Sequence, residues 1–134
     1  MKKKEQKKQK IFIETIGCQM NFLDSQFIIN NLKKKKHQFT NNYKEADILI
    51  LNTCSIREHS ENKIFNKINL FIKEKEKKNS IKIGIIGCMV EKEEKKLIKN
   101  KKINFILGPG KIFEVANIIN ETLNKKKKKI QKKI

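Results

Sequence analysis

Three short β-branched runs each stop at a cysteine, and they constrain this chain more than any other feature. Residues 11–17, 48–53 and 81–87 read as strands ending at Cys18, Cys54 and Cys88, the only cysteines present. The intervals between them are 35 and 33 residues, about the length of a crossover helix and a returning strand. In a parallel sheet that periodicity brings three thiols to one carboxyl edge. A lone cysteine after a strand is more often a buried small hydrophobe. Three at equivalent strand ends point to a metal or cluster site, and an odd count disfavours a disulfide framework.

The intervening segments carry helical signals. Asn21 reads as an N-cap with Asp24 in the first turn. That helix is expected to run to about Lys36, with Leu23, Phe27, Ile28 and Leu32 facing inward. A weak strand is expected near residues 37–40. Ser55 and Glu58 have capping-box spacing, followed by Ile64, Phe65, Ile68, Phe71 and Ile72 at a 3.6-residue period. Beyond Cys88 a polar helix over 91–99 has only Leu97 and Ile98 as anchors. A last strand over 103–107 meets the turn Gly108-Pro109-Gly110. Ile112, Val115, Ala116, Ile119 and Leu123 then mark the final helix.

This alternation predicts an α/β fold: a single open, mostly parallel sheet of four to five strands with helices on both faces, flavodoxin/Rossmann-like. With a flavodoxin-like strand order 2-1-3-4-5, the cysteine-bearing strands are the first, third and fourth, and they are adjacent. Gly17 and Gly87 permit the sharp turns that bring the thiols inward, at the edge where such sheets bind ligands.

Charge bounds the partners. The formal net charge is +19, but residues 1–10 hold six lysines and one glutamate, and 125–134 hold seven lysines. These read as basic disordered tails flanking a domain over 11–124. There are 32 lysines and one arginine, Arg57. That ratio suits A/T-rich coding better than base recognition, which favours the arginine fork. The tails alone are expected to give salt-dependent, unselective RNA binding. No apolar stretch approaches the ~18 residues of a membrane span, and the first apolar run is too short for a signal peptide. The expected setting is a reducing cytoplasm, without membrane contact, and a monomer.

Zinc at this edge would want a fourth protein ligand, with His37 and His59 the candidates. His59 reads as a surface residue and His37 as part of a polar loop. A [4Fe–4S] cluster fits three thiolates better and leaves one iron open. Gln19, Asn21, Asn52, Thr53 and Ser55 supply amides and hydroxyls beside the thiols. No Walker or Gly-x-Gly-x-x-Gly loop is present. A flavodoxin-like module holding a flavin at the same edge, and a folded remnant that binds nothing, stand as alternatives.

The motifs Gly17-Cys18-Gln19-Met20-Asn21 with Asp24-Ser25, Asn52-Thr53-Cys54-Ser55-Ile56-Arg57-Glu58, Gly87-Cys88 and Gly108-Pro109 closely resemble the amino-terminal domain of radical-SAM methylthiotransferases. Gln19-Met20 and residues 55–58 are most similar to the branch acting on tRNA. Ser60 stands where the family commonly has Ala, and Val90-Glu91 where it has Ala-Gln. The resemblance implies an auxiliary [4Fe–4S] cluster on Cys18, Cys54 and Cys88 that holds or donates the sulfur of a methylthio group. It implies a second domain that uses S-adenosylmethionine to activate an isopentenylated adenine beside the anticodon, and a third that helps bind tRNA. With every cysteine assigned, the expected chain is a truncated or split enzyme. It would be inactive alone and need a separate radical-SAM chain, meeting tRNA through the complete enzyme.

Overall fold

The computed structural model describes residues 9–16, 19–53, 58–124 and 132–133. The order of elements is β1 (Lys10–Thr15), α1 (Gln19–Lys34), β2 (Gln38–Phe39), β3 (Ile48–Thr53), α2 (Glu58–Lys77), β4 (Lys82–Gly87), α3 (Cys88–Lys92), α4 (Glu94–Lys99), β5 (Phe105–Leu107) and α5 (Val115–Asn124). The strands pair in the order β2-β1-β3-β4-β5, all parallel, as the alternation of elements predicts. At the outer edge Lys132–Lys133 adds a two-residue parallel strand against Ile106 and Leu107. The other tail lysines of residues 1–8 and 125–131 lie outside the described residues.

Strand alternation sorts the core into two layers. Ile48 and Ile50 face α1 and α5, packing with Ile28, Leu32, Ile86, Phe105, Leu107, Val115 and Ile119. Leu49 and Leu51 face the opposite side, with Ile64, Ile68, Phe71, Ile83, Ile85, Met89, Val90 and Leu97. All six residues of β3 are buried. A strand covered on both faces needs the continuous apolar run seen at 48–51. Each fully buried Ile, Leu or Phe contributes about 1.5–3 kcal/mol, so this central strand anchors the domain. On the α2 face Phe12 meets Phe71 edge-on, ring centroids 6.0 Å apart.

Several local expectations are corrected. Helix α1 begins at Gln19, so Asn21 lies within its first turn and is not the cap. Strand β1 stops at Thr15, and the good helix formers Gln19 and Met20 are already part of the helix. Its end comes at Lys34 because Lys36 takes a left-handed conformation (φ 70°). The His37 amide then donates to the Leu32 carbonyl, in a Schellman-like stop. Leu23 is 68 % exposed and Phe27 43 % exposed, because the inward stripe of α1 is instead Ser25, Ile28 and Leu32. Phe27 packs edge-on to the exposed Phe113, centroids 4.7 Å apart.

The polar helix expected over 91–99 starts at Cys88 and breaks at Glu93 into α3 and α4. Met89 and Val90, overlooked as anchors, are fully buried, while Ile98 is exposed. Strand β5 is shorter than the run 103–107, and Pro109–Glu114 forms a 3-10 helix before α5. His37 is not in a solvated loop: it is buried, and its Nδ1 accepts from the Gln9 amide. Burial, and secondarily the charge of Lys35, hold its pKa below the usual 6.5.

At the amino edge, Asn104 Oδ1 accepts from the Ile83 amide (3.0 Å) and from Lys75 Nζ (2.6 Å). Lys75 Nζ also donates to the Lys102 carbonyl. This latch brings a lysine from the charged end of α2 into the interior.

Candidate metal centre

Parallel register brings the ends of three strands into one row. Thr15 pairs with Asn52, Asn52 with Ile86, and Thr53 with Gly87. Cys88 follows Gly87 as the first residue of α3, and its thiol is free and partly exposed. Cys54 is the next residue after Thr53 in the chain, and Cys18 the one before Gln19. Both lie outside the described residues, as do Ser55 and Gly17. Gln19 and Asn21 are in the first turn of α1.

Two polar clusters occupy this edge, one on each face of the sheet. On the α1 face, Thr15 Oγ1 and Ser25 Oγ are 2.6 Å apart, and Asn52 Nδ2 donates to Ser25 Oγ at 2.9 Å. Ser25 is 5 % exposed and Asn52 fully buried. The Ile16 amide adds a bond to the Asn52 carbonyl. On the opposite face, Thr53 Oγ1 donates to the Ile86 carbonyl (2.7 Å) and accepts from the Met89 amide (3.2 Å). A buried hydroxyl or amide is costly unless bonded, so these contacts fix the edge.

Gly87 has φ +103° and ψ −167°, a region essentially reserved for glycine. A Cβ placed there would lie 2.2 Å from the Thr53 carbonyl oxygen. The missing side chain is what lets the turn into Cys88 pass directly beside the end of β3. That closeness, with a free thiol at the turn and a second cysteine next to Thr53, fits a thiolate-held group.

Of the site residues expected from sequence, Asn52, Thr53 and Cys88 stand at this common edge. His37 does not: its contact with Gln9 puts it at the amino end of β1. The His59 side chain lies outside the described residues. Among the described residues, which do not include Cys18 and Cys54, no three of His, Cys, Asp and Glu are grouped to hold a metal. Thr15, Ser25 and Met89 were overlooked as site residues. The signal was available for two of them: Thr15 shares the parity of Ile11 and Ile13, and Ser25 lies on the stripe of Ile28 and Leu32.

Comparison with known proteins accords with this geometry. Residues 10–108 match the family model described as "Uncharacterized protein family UPF0004". A protein of Karelsulcia muelleri (strain GWSS) is 47 % identical over 120 residues, covering 89 % of this chain and 26 % of its own length. One from Azobacteroides pseudotrichonymphae genomovar. CFP2 is 38 % identical over 111 residues, 83 % of this chain and 25 % of its own. One from Petrotoga mobilis (strain DSM 10674 / SJ95) is 36 % identical over 119 residues, 88 % and 27 % respectively. All three are named tRNA-2-methylthio-N(6)-dimethylallyladenosine synthase, and the chain spans about a quarter of their length. The chain therefore belongs to the UPF0004 family and is related to the tRNA methylthiotransferases, as its cysteine motifs anticipate.

Proposed function

We propose that this domain is the sulfur-handling part of a tRNA methylthiotransferase, holding an auxiliary [4Fe–4S] cluster through Cys18, Cys54 and Cys88. The observation that carries the reading is the row Thr15–Asn52–Ile86, with Thr53 beside Gly87, at the strand ends that the three cysteines follow in the chain. The donor set supports it as well. Three thiolates would serve three irons of such a cluster and would leave one iron open to a non-protein ligand. When bound, such a group supplies an open metal position at which a sulfur species can be held.

The chain's own residues do the rest. The cysteines provide thiolates. Gly87 admits the Cys88 turn to the end of β3, and the Thr53 hydroxyl satisfies backbone groups on both sides of that turn. The substrate inferred from the relatives' name is an isopentenylated adenosine in tRNA. Radical chemistry with S-adenosylmethionine, and most tRNA contacts, belong to the remaining three quarters of such an enzyme. A separate radical-SAM chain is the partner this reading requires if the domain exists as a separate chain. The site of action is cytoplasmic, where thiols stay reduced; among the described residues no helix is long and apolar enough to cross a membrane.

Anaerobic reconstitution with iron and sulfide tests the proposal. About four irons and four sulfides per chain are expected after gel filtration. Cys54→Ala and Cys88→Ala should each lose most of that iron. Failure of the parent to retain iron, or variants that retain as much as the parent, would remove the assignment.

A further inference from the structure

We infer that Asn52 and Thr53 act together as positioning residues, fixing from the central strand the segments on which the three cysteines are carried. The inference rests on the cluster reading above and extends it to residues that need not touch the cluster. Strand β3 lies between β1 and β4, and consecutive residues of a strand face opposite sides. Asn52 and Thr53 therefore reach in opposite directions from one point.

Asn52 bonds to the described segments before and after Cys18. Its side chain donates to Ser25 of α1, the helix that begins one residue after Cys18, and Ser25 is bonded in turn to Thr15 at the end of β1. Its carbonyl accepts from the Ile16 amide, two residues before Cys18. Thr53 does the same for Cys88. Its hydroxyl binds the Ile86 carbonyl, two residues before that cysteine, and the Met89 amide, one residue after it. Cys54 needs no tether, because it is bonded to Thr53 itself.

Both residues are fully buried, where each hydrogen bond to a neighbouring segment holds that segment at a fixed distance from β3. The Asn52 side chain ties β3 to the helix that follows Cys18, and the Thr53 hydroxyl ties it to the residues on either side of Cys88. Outer groups of this kind are worth about 10–100-fold in metal affinity.

The test uses the reconstituted full chain and reads chelator-driven iron loss, the EPR spectrum of the reduced cluster and the melting temperature of the apo form. Thr53→Val keeps shape and removes both hydroxyl bonds. It should lose iron at least about tenfold faster than the parent, with an altered EPR line shape. Thr53→Ser should restore both readouts. Asn104→Ala, destabilising at the opposite edge, should keep the parent's chelator resistance. If Thr53→Val fails to fold, Ser25→Ala, which unties Asn52, decides through the same iron-loss rate.

Iron loss and EPR unchanged in Thr53→Val, or in Ser25→Ala where it is the deciding variant, overturn the positioning role while the cluster assignment stands. Equal acceleration in Asn104→Ala overturns it too, because general stability would then explain the effect. A parent that holds no iron overturns both readings.

Discussion

Gly87→Ala is the substitution whose cost can be worked most directly from the geometry. At φ +103° and ψ −167°, a residue with a Cβ is strained by about 1–3 kcal/mol. The added carbon would also lie 2.2 Å from the Thr53 carbonyl oxygen and 2.9 Å from the Thr53 nitrogen. Both are backbone atoms of the most buried strand, so no side chain can swing aside. Relief requires β3 and β4 to separate, an overpacking cost of about 1–3 kcal/mol. The two contributions together centre near ~4 kcal/mol, a large share of the ~5–15 kcal/mol that stabilises a domain. At about 4–5 °C per kcal/mol for this size, the melting temperature should fall by roughly 15–20 °C. Thermal unfolding of the apo protein followed by circular dichroism measures it. Gly110→Ala is the control, since a Cβ there meets nothing within 4 Å, and its change should stay within about 0.5 kcal/mol. A Gly87→Ala protein melting within ~4 °C of the parent would refute the claim that this turn depends on glycine.

Three further outcomes are expected. Gly84→Ala places a Cβ 2.1 Å from the fully buried Phe105 ring and should cost about 1–3 kcal/mol; in Gly84→Ala/Phe105→Leu the two changes should prove non-additive in urea unfolding, with part of that cost relieved. Asn104→Ala removes the acceptor shared by the Ile83 amide and Lys75 Nζ and should lower the urea-derived stability by about 2–3 kcal/mol. His37, its pKa held below 6.5 by burial and then by Lys35, stays neutral in the folded state while the unfolded chain takes up a proton near 6.5. Stability should therefore fall as pH descends through 6.5 and level off below the native value. Urea midpoints at pH 5–8 should show that component in the parent and lose it in His37→Gln; identical profiles would contradict it.

Much of the architecture is legible in the sequence because the strands are buried on both faces. Residues 48–51 and 83–86 are continuous runs without a polar side chain, and such runs admit few other readings. The cysteine interval adds the parallel order, and the observed 2-1-3-4-5 arrangement follows. Helix faces were less legible where apolar residues ring the helix. Leu23 and Phe27 look like core by composition, yet the sheet takes the stripe of Ser25, Ile28 and Leu32. A serine on an inward stripe is the trace of the polar cluster at the carboxyl edge, visible only once Asn52 and Thr15 stand opposite it. Lys75 shows the same limit from the charged side. Nothing in a Lys/Glu run marks the one lysine that an asparagine 29 residues later will accept. His37 reads as a loop residue because burial there depends on β1 and β2 closing over it.

Anomalous diffraction at the iron edge from crystals of the anaerobically reconstituted chain tests the central claim most directly. The account predicts one four-iron cluster, with the sulfurs of Cys18, Cys54 and Cys88 each on a different iron and the fourth iron free of any protein side chain. Iron elsewhere in the fold, or a cluster that leaves any of those three sulfurs unbound, would contradict it.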